Sequence, residues 1–283
     1  MEQRALVLGA GGHAATAWEL GVITGMADAG VDVRNADVIV GTSAGARVAV
    51  LITSDLTLEE LFQQQVDSGL QTKEPAPPLD FTRWRTDFMR AKEGSGEAIG
   101  VLQRFGALAL QTPGDLREAR RNMIATALPL HTWPERQLLI VAVDVESGER
   151  RAFDRSSGVD LIDAVAASGA VPGIWPPVEV RGHRYMDGGM YSIDNADLAV
   201  GRDHVVILTL PARIPPLCVA SLEDAVDTLR HSGARVDVVH PDEAAQAAFA
   251  SVGGNLLDPS VREAAARAGR EQGQRVGAAG ARI

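Results

Sequence analysis

A serine with the surroundings of a nucleophile lies early in the chain, in Gly41-Thr42-Ser43-Ala44-Gly45. The apolar residues 36–40 precede it, and residues 44–52 have the composition of a helix. A strand that ends in G-x-S-x-G and continues as a helix holds the serine on a tight turn, where its hydroxyl is accessible. The motif therefore predicts a nucleophile, while a chance match in a chain with 29 glycines is the alternative.

A glycine loop, Gly9-Ala10-Gly11-Gly12-His13, follows the apolar residues 5–8 and precedes the apolar stretch 14–26. Such a loop between a strand and a helix directs several amides at one point, which suits a phosphate or an oxyanion. The dinucleotide-binding fingerprint fails because Ala14 takes the place of its last glycine, and no Gly-Lys-Ser/Thr of a P-loop follows. We therefore expect an oxyanion-binding loop.

A third motif, Met186-Asp187-Gly188-Gly189, follows two short predicted strands around Arg181-Gly182-His183. An aspartate before two glycines is often only a turn. In this order, however, the glycine loop, G-x-S-x-G and D-G-G resemble the motifs of the patatin-like phospholipase family. Residues 167–177 are similar to that family's A-S-x-x-x-P-x-x-x-P segment, and residues 18–23 and 195–199 resemble its bacterial branch.

The resemblance covers residues 4–53 and 137–210. It implies a three-layer α/β/α fold with a mainly parallel central sheet and a helical insertion. It also implies that Ser43 attacks esters of phospholipids or other lipid-like molecules, with Asp187 as its partner in a Ser-Asp dyad and without a catalytic histidine or a cofactor. The implied oxyanion hole consists of the amides of Gly11, Gly12 and His13. The glycines expected to support the three motifs are Gly9, Gly41, Gly45, Gly188 and Gly189.

The glycine loop departs from the family pattern G-G-G-G-x-x-G at two positions, Ala10 and Ala15, and it lacks the arginine or lysine often found there. A methyl group at Ala10 would restrict a backbone that needs a positive φ. A catalytically silent relative that binds an acyl or phosphate group is therefore one alternative.

A histidine-dependent triad is a second alternative, with His240 after a late predicted strand, as in an α/β-hydrolase. A nucleophile at position 43 leaves room for only two strands up to it, which is too few for the central sheet of that fold. His183 is close to Asp187 in sequence, but its context predicts a solvated turn residue.

Strand and helix signals alternate along the chain, which predicts a mainly parallel sheet with helices on both faces. The expected order is β 4–8, α 15–29, β 37–41, α 44–53, helices to 128, β 137–145, α 160–169, strands 178–186, β 204–210, then helix, strand and helix. The three motifs then lie at carboxyl ends of strands, where such sheets hold active sites. We expect one domain over residues 1–283, a helical cap or insertion at 56–133 and a frayed tail at 276–283.

Within this insertion, residues 75–78 (Pro-Ala-Pro-Pro) predict a break, and Phe81, Trp84 and Phe88 share one helical face. That face predicts packing onto the core, and a lid that admits acyl chains to the active site is the alternative. A nearby cluster, Arg117 to Arg121, lies beside acidic residues, which predicts a solvated face with local ion pairs.

The formal net charge of −10 disfavours nucleic acid as a partner and disfavours lasting attachment to an anionic membrane, so membrane or micelle contact would be transient. Cys218 is the one cysteine, which excludes an internal disulfide and favours a structural role. The sequence has no metal-ligand spacing, no secretory segment and no apolar run long enough to span a bilayer. We expect a cytoplasmic protein without a metal, and the sequence predicts no particular oligomeric state.

Overall fold

The computed structural model describes residues 2–74, 80–93, 97–211 and 218–279, and within these ranges the strands form one eight-stranded sheet. Its strands are β1 (Arg4–Leu8), β2 (Val38–Thr42), β3 (Gln137–Asp144), β4 (Arg150–Phe153), β5 (Val178–Val180), β6 (His183–Asp187), β7 (His204–Leu208) and β8 (Arg235–Val239). The order across the sheet is β5-β6-β3-β2-β1-β7-β8, and β4 pairs with β3. The strands from β3 to β8 in this order are parallel, as predicted, whereas the pairs β3-β4, β3-β6 and β5-β6 are antiparallel.

The register of β3 explains how the D-G-G strand reaches the serine strand. β2 pairs with β3 as far as Val141, and β6 continues along the same edge of β3 from Ala142, because β4 occupies the other edge at both residues. β6 runs antiparallel to β3 and ends at Asp187. Its carboxyl end therefore meets the carboxyl end of β2, which Ser43 follows. The sequence pattern predicts this convergence but not its cause, which is an antiparallel strand placed end to end with a parallel one.

Helices cover the sheet in the order that the sequence predicts. They are α1 (Gly12–Asp28), α2 (Ala44–Ile52), α3 (Leu58–Val66), α4 (Phe81–Lys92), α5 (Ala98–Leu110), α6 (Arg117–Ala127), α7 (Leu161–Ser168), α8 (Leu222–His231), α9 (Glu243–Ser251) and α10 (Arg262–Ala278). The pattern does not predict β4, because its residues Arg-Arg-Ala-Phe lack an apolar run, and it predicts one helix after β8 where the described residues form two, α9 and α10.

Alternate residues of the central strands face two hydrophobic layers, as the two-residue period of a strand requires. Leu6 and Leu8 of β1 and Ile39 of β2 pack with α1, α2 and α7. Ala5 and Val7 of β1 face the other way and pack with α8. Helices therefore cover both faces, and the predicted three-layer α/β/α architecture is confirmed.

The first and last helices pack with their backbones in close contact. A Cβ on Gly21 or Gly25 of α1 would collide with carbonyl oxygens of α10, so only glycine allows this approach. The contact also corrects the prediction of a frayed tail from residue 276, since α10 continues to Ala278. Gly277 lies against α1 there, and residues 280–283 are outside the described residues.

Four helices, α3 to α6, form the described part of the predicted insertion. Phe88 is buried and stacks on Phe105 of α5 at 4.6 Å between ring centroids, so the predicted packing onto the core is confirmed for this residue. Trp84 is half-buried, and its Nε1 donates to the Pro172 carbonyl at 2.9 Å. The Phe81 side chain and the predicted break at 75–78 lie outside the described residues. Among the helices that the structure describes, none has the length and apolar character needed to cross a membrane.

Candidate active site

Ser43 lies in the turn between β2 and α2, with backbone angles of φ 54° and ψ −106°. A positive φ is costly for a residue with a side chain and persists only where surrounding contacts hold it. Ser168 supplies such contacts. Its hydroxyl accepts a hydrogen bond from the Ser43 amide at 2.8 Å and donates to the Val141 carbonyl at 2.6 Å. The Ser43 side chain therefore projects from a backbone that is fixed to β3.

The glycines on both sides of Ser43 let the chain pass close to its neighbours. A Cβ on Gly41 would lie 2.7 Å from the backbone of α2, and one on Gly45 would collide with the Leu8 carbonyl of β1. The Gly45 amide also donates to the Gly9 carbonyl at 2.9 Å. This hydrogen bond joins the serine turn to the glycine loop.

Asp187 ends β6 with only 2% of its surface exposed. Its Oδ1 accepts a hydrogen bond from the Gly189 amide at 2.7 Å, and the Ser43 side chain lies close enough to the carboxyl to favour its ionised form. Burial raises the pKa of Asp187 to about 6, although the Ser43 side chain, the Gly189 amide and the charge of Arg120 favour the ionised form. The carboxylate is therefore a stronger base than an exposed aspartate and remains ionised at neutral pH.

The D-G-G turn is fixed to the serine strand by packing and by a buried amide side chain. A Cβ on Gly188 would collide with the Val141 carbonyl of β3. Asn195 donates from Nδ2 to the Thr42 hydroxyl at 3.0 Å and to the Ser192 carbonyl at 2.9 Å. Because Thr42 directly precedes the serine, Asn195 fixes the two turns relative to each other.

The first residue of the glycine loop is held on both sides. The Gly9 amide donates to the Leu208 carbonyl of β7 at 3.0 Å and to Oε1 of the buried Glu19 at 2.8 Å. Burial raises the pKa of the Glu19 carboxyl well above its usual value, while the hydrogen bond from Gly9 has the opposite effect. Gly9 is therefore a support of the loop rather than a donor to a ligand.

The amides that follow Gly9 differ in whether they donate a hydrogen bond within the protein. The amides of Ala10 and Ala14 donate to the carbonyls of Ile193 and Leu256 at 2.8 and 3.1 Å. Between them, three consecutive amides have no acceptor among the residues that the structure describes. These amides belong to Gly11, Gly12 and His13.

The alanines of the loop fit its backbone. A positive φ occurs at Gly11 and Gly12, with 154° and 61°, but not at Ala10. Ala15 lies inside α1, where its methyl group is fully buried. The departures from the family pattern therefore leave the loop without conformational strain at either alanine.

An apolar cavity of about 340 Å³ opens beside Ser43 and Asp187. Gly11 and Gly12 also line it, so the unused amides, the serine and the carboxyl border one space. Burial raises the pKa of the Cys218 thiol in the cavity wall, which agrees with the predicted structural role. The larger apolar side chains of the wall include Trp84, Phe88, Met89, Met190, Ile193 and Leu210.

A second, smaller pocket also opens at Ser43, but charged side chains form part of its wall. Arg47, Glu74, Arg120 and His13 line it. Glu74 accepts a hydrogen bond from His13 Nε2 at 2.9 Å and pairs with Arg47 at 3.4 Å. Burial alone would raise the pKa of Glu74, but the hydrogen bond from His13 and the charges of Arg47 and Arg120 hold it well below its usual range. We call this set of residues the charged pocket.

His13 has both ring nitrogens engaged. Arg262 donates to Nδ1 at 3.0 Å, and because a guanidinium only donates, Nε2 carries the proton that Glu74 accepts. Burial lowers the pKa of His13, as do the charges of Arg262 and Arg47, against the effect of Glu74. The ring is therefore a neutral positioning group for the loop and has no free nitrogen to act as a base on Ser43.

The histidines of the alternative triad lie elsewhere. His240 Nδ1 is 2.9 Å from the Thr209 carbonyl, and His183 Nδ1 is 3.0 Å from Oδ2 of Asp144. Neither side chain lines the apolar cavity or the charged pocket. His183 is the first residue of β6 and is exposed.

Arg120 corrects a prediction, because it is only 5% exposed where the sequence predicts a solvated face. Its helical spacing from Met123 and Ile124, which are also buried, is the signal that could have identified it. Arg121 has the predicted exposed character, although it pairs with Asp163 rather than with its neighbours in sequence.

Three further residues reach the site from segments without a motif. Glu74 follows α3, Leu256 follows α9, and Arg262 begins α10. Arg262 is 249 positions from the His13 that it contacts. No local pattern could have predicted these contacts, since they depend on how distant segments of the chain pack together.

The fold and the site define a class: a three-layer α/β protein with a strained serine, a buried aspartate and a glycine loop at one edge of the sheet. Residues 6–200 match the family model described as patatin-like phospholipase, and the chain therefore belongs to that family. The name of the family indicates hydrolysis of lipids.

Two solved structures are similar to the chain. VipD from Legionella pneumophila is 15% identical with a TM-score of 0.42, and the match covers 76% of this chain and 52% of VipD. The type III effector protein ExoU is 15% identical with a TM-score of 0.40, and the match covers 96% of this chain and 53% of ExoU. The chain thus spans about half the length of each structure. No curated protein matches the sequence.

Proposed function

We propose that the protein is a serine acyl hydrolase that cleaves esters of phospholipids or other lipid-like molecules through Ser43 and Asp187. The observation that carries this proposal is the contact between the Ser43 side chain and a buried carboxyl whose pKa is raised to about 6. An aspartate with an ordinary pKa of about 4 is a weak base toward a serine hydroxyl. Burial brings Asp187 closer to neutral pH, where general base catalysis is most effective.

In the first step, Ser43 Oγ attacks the ester carbonyl carbon while its proton moves to Asp187. The carbonyl oxygen becomes an oxyanion, to which the amides of Gly11, Gly12 and His13 donate. Loss of one such donor typically costs about 3 kcal/mol in activation free energy. Asp187 then gives the proton to the departing alcohol, and the acyl group stays on Ser43.

In the second step, a water molecule loses a proton to Asp187 and attacks the carbonyl carbon of the acyl-serine. The same amides stabilise the second oxyanion. When this intermediate collapses, the bond to Ser43 Oγ breaks, the oxygen regains its proton from Asp187, and the carboxylic acid leaves. The cycle thus needs one carboxyl as base and acid, and neither a histidine nor a metal enters the steps.

The apolar cavity supports an acyl chain as the part of the substrate beside the serine. Its volume of about 340 Å³ lies in the range of small-molecule pockets, and its walls are largely aliphatic and aromatic. An acyl chain in this cavity would bring its ester carbonyl to Ser43 and to the unused amides at the rim.

Labelling with a fluorophosphonate probe tests the proposal. We expect modification at Ser43, no labelling in Ser43→Ala, and normal labelling in Ser251→Ala, a control at an exposed helical serine. Ester turnover should fall by about a thousandfold in Asp187→Asn, because the general base is lost. A protein that stays unlabelled while folded would instead be the silent binding protein and would overturn the proposal.

Stability measurements distinguish the expected loss of turnover in Asp187→Asn from misfolding of the variant. Burial raises the folded-state pKa of Asp187 above its unfolded value of 3.8, so the ionised carboxylate destabilises the fold fully above pH 6 and progressively less as the pH falls toward 4. Asp187→Asn should therefore be more stable than the wild type at pH 8, by up to about 3 kcal/mol. A variant that is both inactive and less stable at pH 8 would contradict this reading of the buried carboxylate.

A further inference from the structure

The charged pocket contains more positive charge than its own carboxylate can neutralise. Arg47 and Arg120 line it, and Arg262 approaches through His13, whereas Glu74 is its one acidic side chain among the described residues. The pKa of the Arg120 and Arg262 guanidiniums is lowered to about 10 by burial, which shows the cost of keeping these charges away from water. Asp187 acts on Arg120 from outside the wall of the pocket, and an anion inside the pocket would reduce this cost further.

Arg120 is placed to contact such an anion. Its guanidinium donates to the Ala166 and Gly169 carbonyls at 2.9 and 2.8 Å and lies 4.9 Å from the centre of the Trp175 ring. Its Nε is buried and has no hydrogen-bond acceptor among the described residues. The position of a Cβ on Gly169 would be 3.1 Å from Arg120 Nη2 and 3.8 Å from Ser43 Oγ, so the cation lies close to the nucleophile.

Glu74 has the contacts of a ligand rather than those of a structural residue. It belongs to no helix or strand, and its side-chain partners are His13 and Arg47. The side chains of Glu74 and Arg47 keep 21% and 15% of their surface exposed, so solvent reaches this pair. A carboxylate from a loop thus occupies a solvent-accessible site that basic side chains form around it.

On this basis, and resting on the proposed function, we propose that the charged pocket binds an anionic group on the alcohol side of the substrate, and that Glu74 occupies this place in the free protein. The ligand chemistry is that of a phosphate close to the scissile ester, which an arginine recognises by charge-assisted hydrogen bonds. The acyl chain lies in the apolar cavity, the ester at Ser43, and the phosphate displaces the Glu74 carboxylate from Arg47. Neutral glycerides and simple alkyl esters lack the group that makes this exchange.

Binding of phosphate can be measured without catalysis, in a Ser43→Ala background. Inorganic phosphate and glycerol 3-phosphate serve as probes, with affinity followed by calorimetry and by the shift in melting temperature. Adding Glu74→Gln should raise the affinity for both probes about tenfold, because the competing carboxylate is removed, and adding Arg47→Gln should lower it by a similar factor. Glu263→Gln and Arg121→Gln change the same charges at exposed ion pairs and should leave the affinity unaltered.

Kinetics then distinguish a substrate headgroup from free phosphate. The substrates are a monoacylglycerol and its 3-phosphate with the same acyl chain, compared by kcat/KM. The ratio of kcat/KM for the phosphate ester to kcat/KM for the neutral ester should rise about tenfold in Glu74→Gln, through KM. The same ratio should fall about tenfold in Arg47→Gln. Equal changes for both substrates, or phosphate binding that ignores Glu74 and Arg47, would overturn the proposal.

The two arms also separate this proposal from the proposed function. Phosphate binding with the expected variant effects, but without turnover of either ester by the wild type, would support the anion site and overturn the hydrolase. Turnover that depends on Ser43, with the same ratio of kcat/KM for the two esters in all variants, would support the hydrolase and overturn the anion site.

Discussion

Two spaces meet at Ser43 and Gly12, and their walls have opposite character. The apolar cavity is large and has aliphatic and aromatic side chains from α4, from the chain after β6 and β7, and from residues 253–257. The charged pocket is small, and its wall combines apolar side chains such as Ile124 and Trp175 with basic side chains around one carboxylate. An ester of an amphipathic molecule has the same division, with an apolar acyl chain on one side of the carbonyl and a polar alcohol on the other.

Under the proposed function, the difference between the walls separates the groups that are expected to react from those that are expected to select among esters. Ser43, Asp187 and the unused amides lie where the two spaces meet, so a change there should affect every ester alike. A change in one wall should alter the preference among esters instead. Four experiments, given in decreasing order of expected effect, test whether changes at the junction and in the walls differ in this way.

Of these four experiments, the largest effect is expected at Gly12, at the junction. Its φ is 61°, and a Cβ would lie 2.7 Å from the Leu256 carbonyl oxygen, so Gly12→Ala must displace the loop that carries the unused amides. We expect kcat to fall about a hundredfold for long and short esters alike, as for loss of an oxyanion donor. Gly30→Ala is the matched control, since Gly30 has a φ of 87° but open space around it. A loss confined to long-chain esters would assign Gly12 to the apolar wall alone.

The pH dependence should report Asp187 at the same junction. With a neutral ester, log kcat/KM should rise with pH and level off above about 6, because the carboxyl must be ionised to accept the serine proton. Below that value the rate should fall about tenfold per pH unit. Glu74 should not contribute in this range, because its pKa is held well below its usual value, and the lowered pKa of His13 keeps that ring neutral above pH 6.5. A profile that stays flat to pH 4 would show that Asp187 is not the base.

The junction is also the part of the site that the sequence predicts best. Ser43 and the glycine loop each follow a strand that an apolar run marks, and Asp187 ends a short strand before two glycines, so all three have local signals. Parallel packing of such strands brings their carboxyl ends to one edge of a sheet. The fold class and most element boundaries follow from the same alternation. The end-to-end contact between β2 and β6 does not follow from this alternation, because it depends on the edge of β3 with which each strand pairs.

The walls could not be predicted in the same way. Glu74, Arg120 and Arg262 come from three segments that share no motif, and their contacts depend on how helices pack rather than on local pattern. Arg120 shows the limit most clearly, since acidic neighbours in sequence indicate a solvated face while its helical spacing places it inside. The side chains that we propose to confer selectivity are tertiary features in this protein, whereas the groups that we propose to react have local sequence signatures.

A change in the apolar wall should alter the preference for acyl-chain length, by a smaller factor than the effects expected at the junction. Met89 is partly buried on α4 and lines the cavity, so Met89→Trp should fill space that a long acyl chain needs. We expect the ratio of kcat/KM for long over short esters to fall about fivefold, within the range that pocket-filling changes produce. Thr86→Trp places the same ring on the exposed face of α4 as a control. An equal loss for both chain lengths would mean that acyl chains do not use this wall.

The smallest effect is expected at His240, outside both spaces. Its Nδ1 lies 2.9 Å from the Thr209 carbonyl, and its side chain lines neither the apolar cavity nor the charged pocket. His240→Ala should therefore change kcat/KM less than about twofold for any ester, whereas removal of a triad base costs orders of magnitude. The measurement is steady-state turnover of one neutral and one phosphate ester at pH 8, with His231→Ala as a control at an exposed histidine. A collapse of turnover in His240→Ala alone would replace the dyad with a triad and would mean that the two spaces meet at a different catalytic centre.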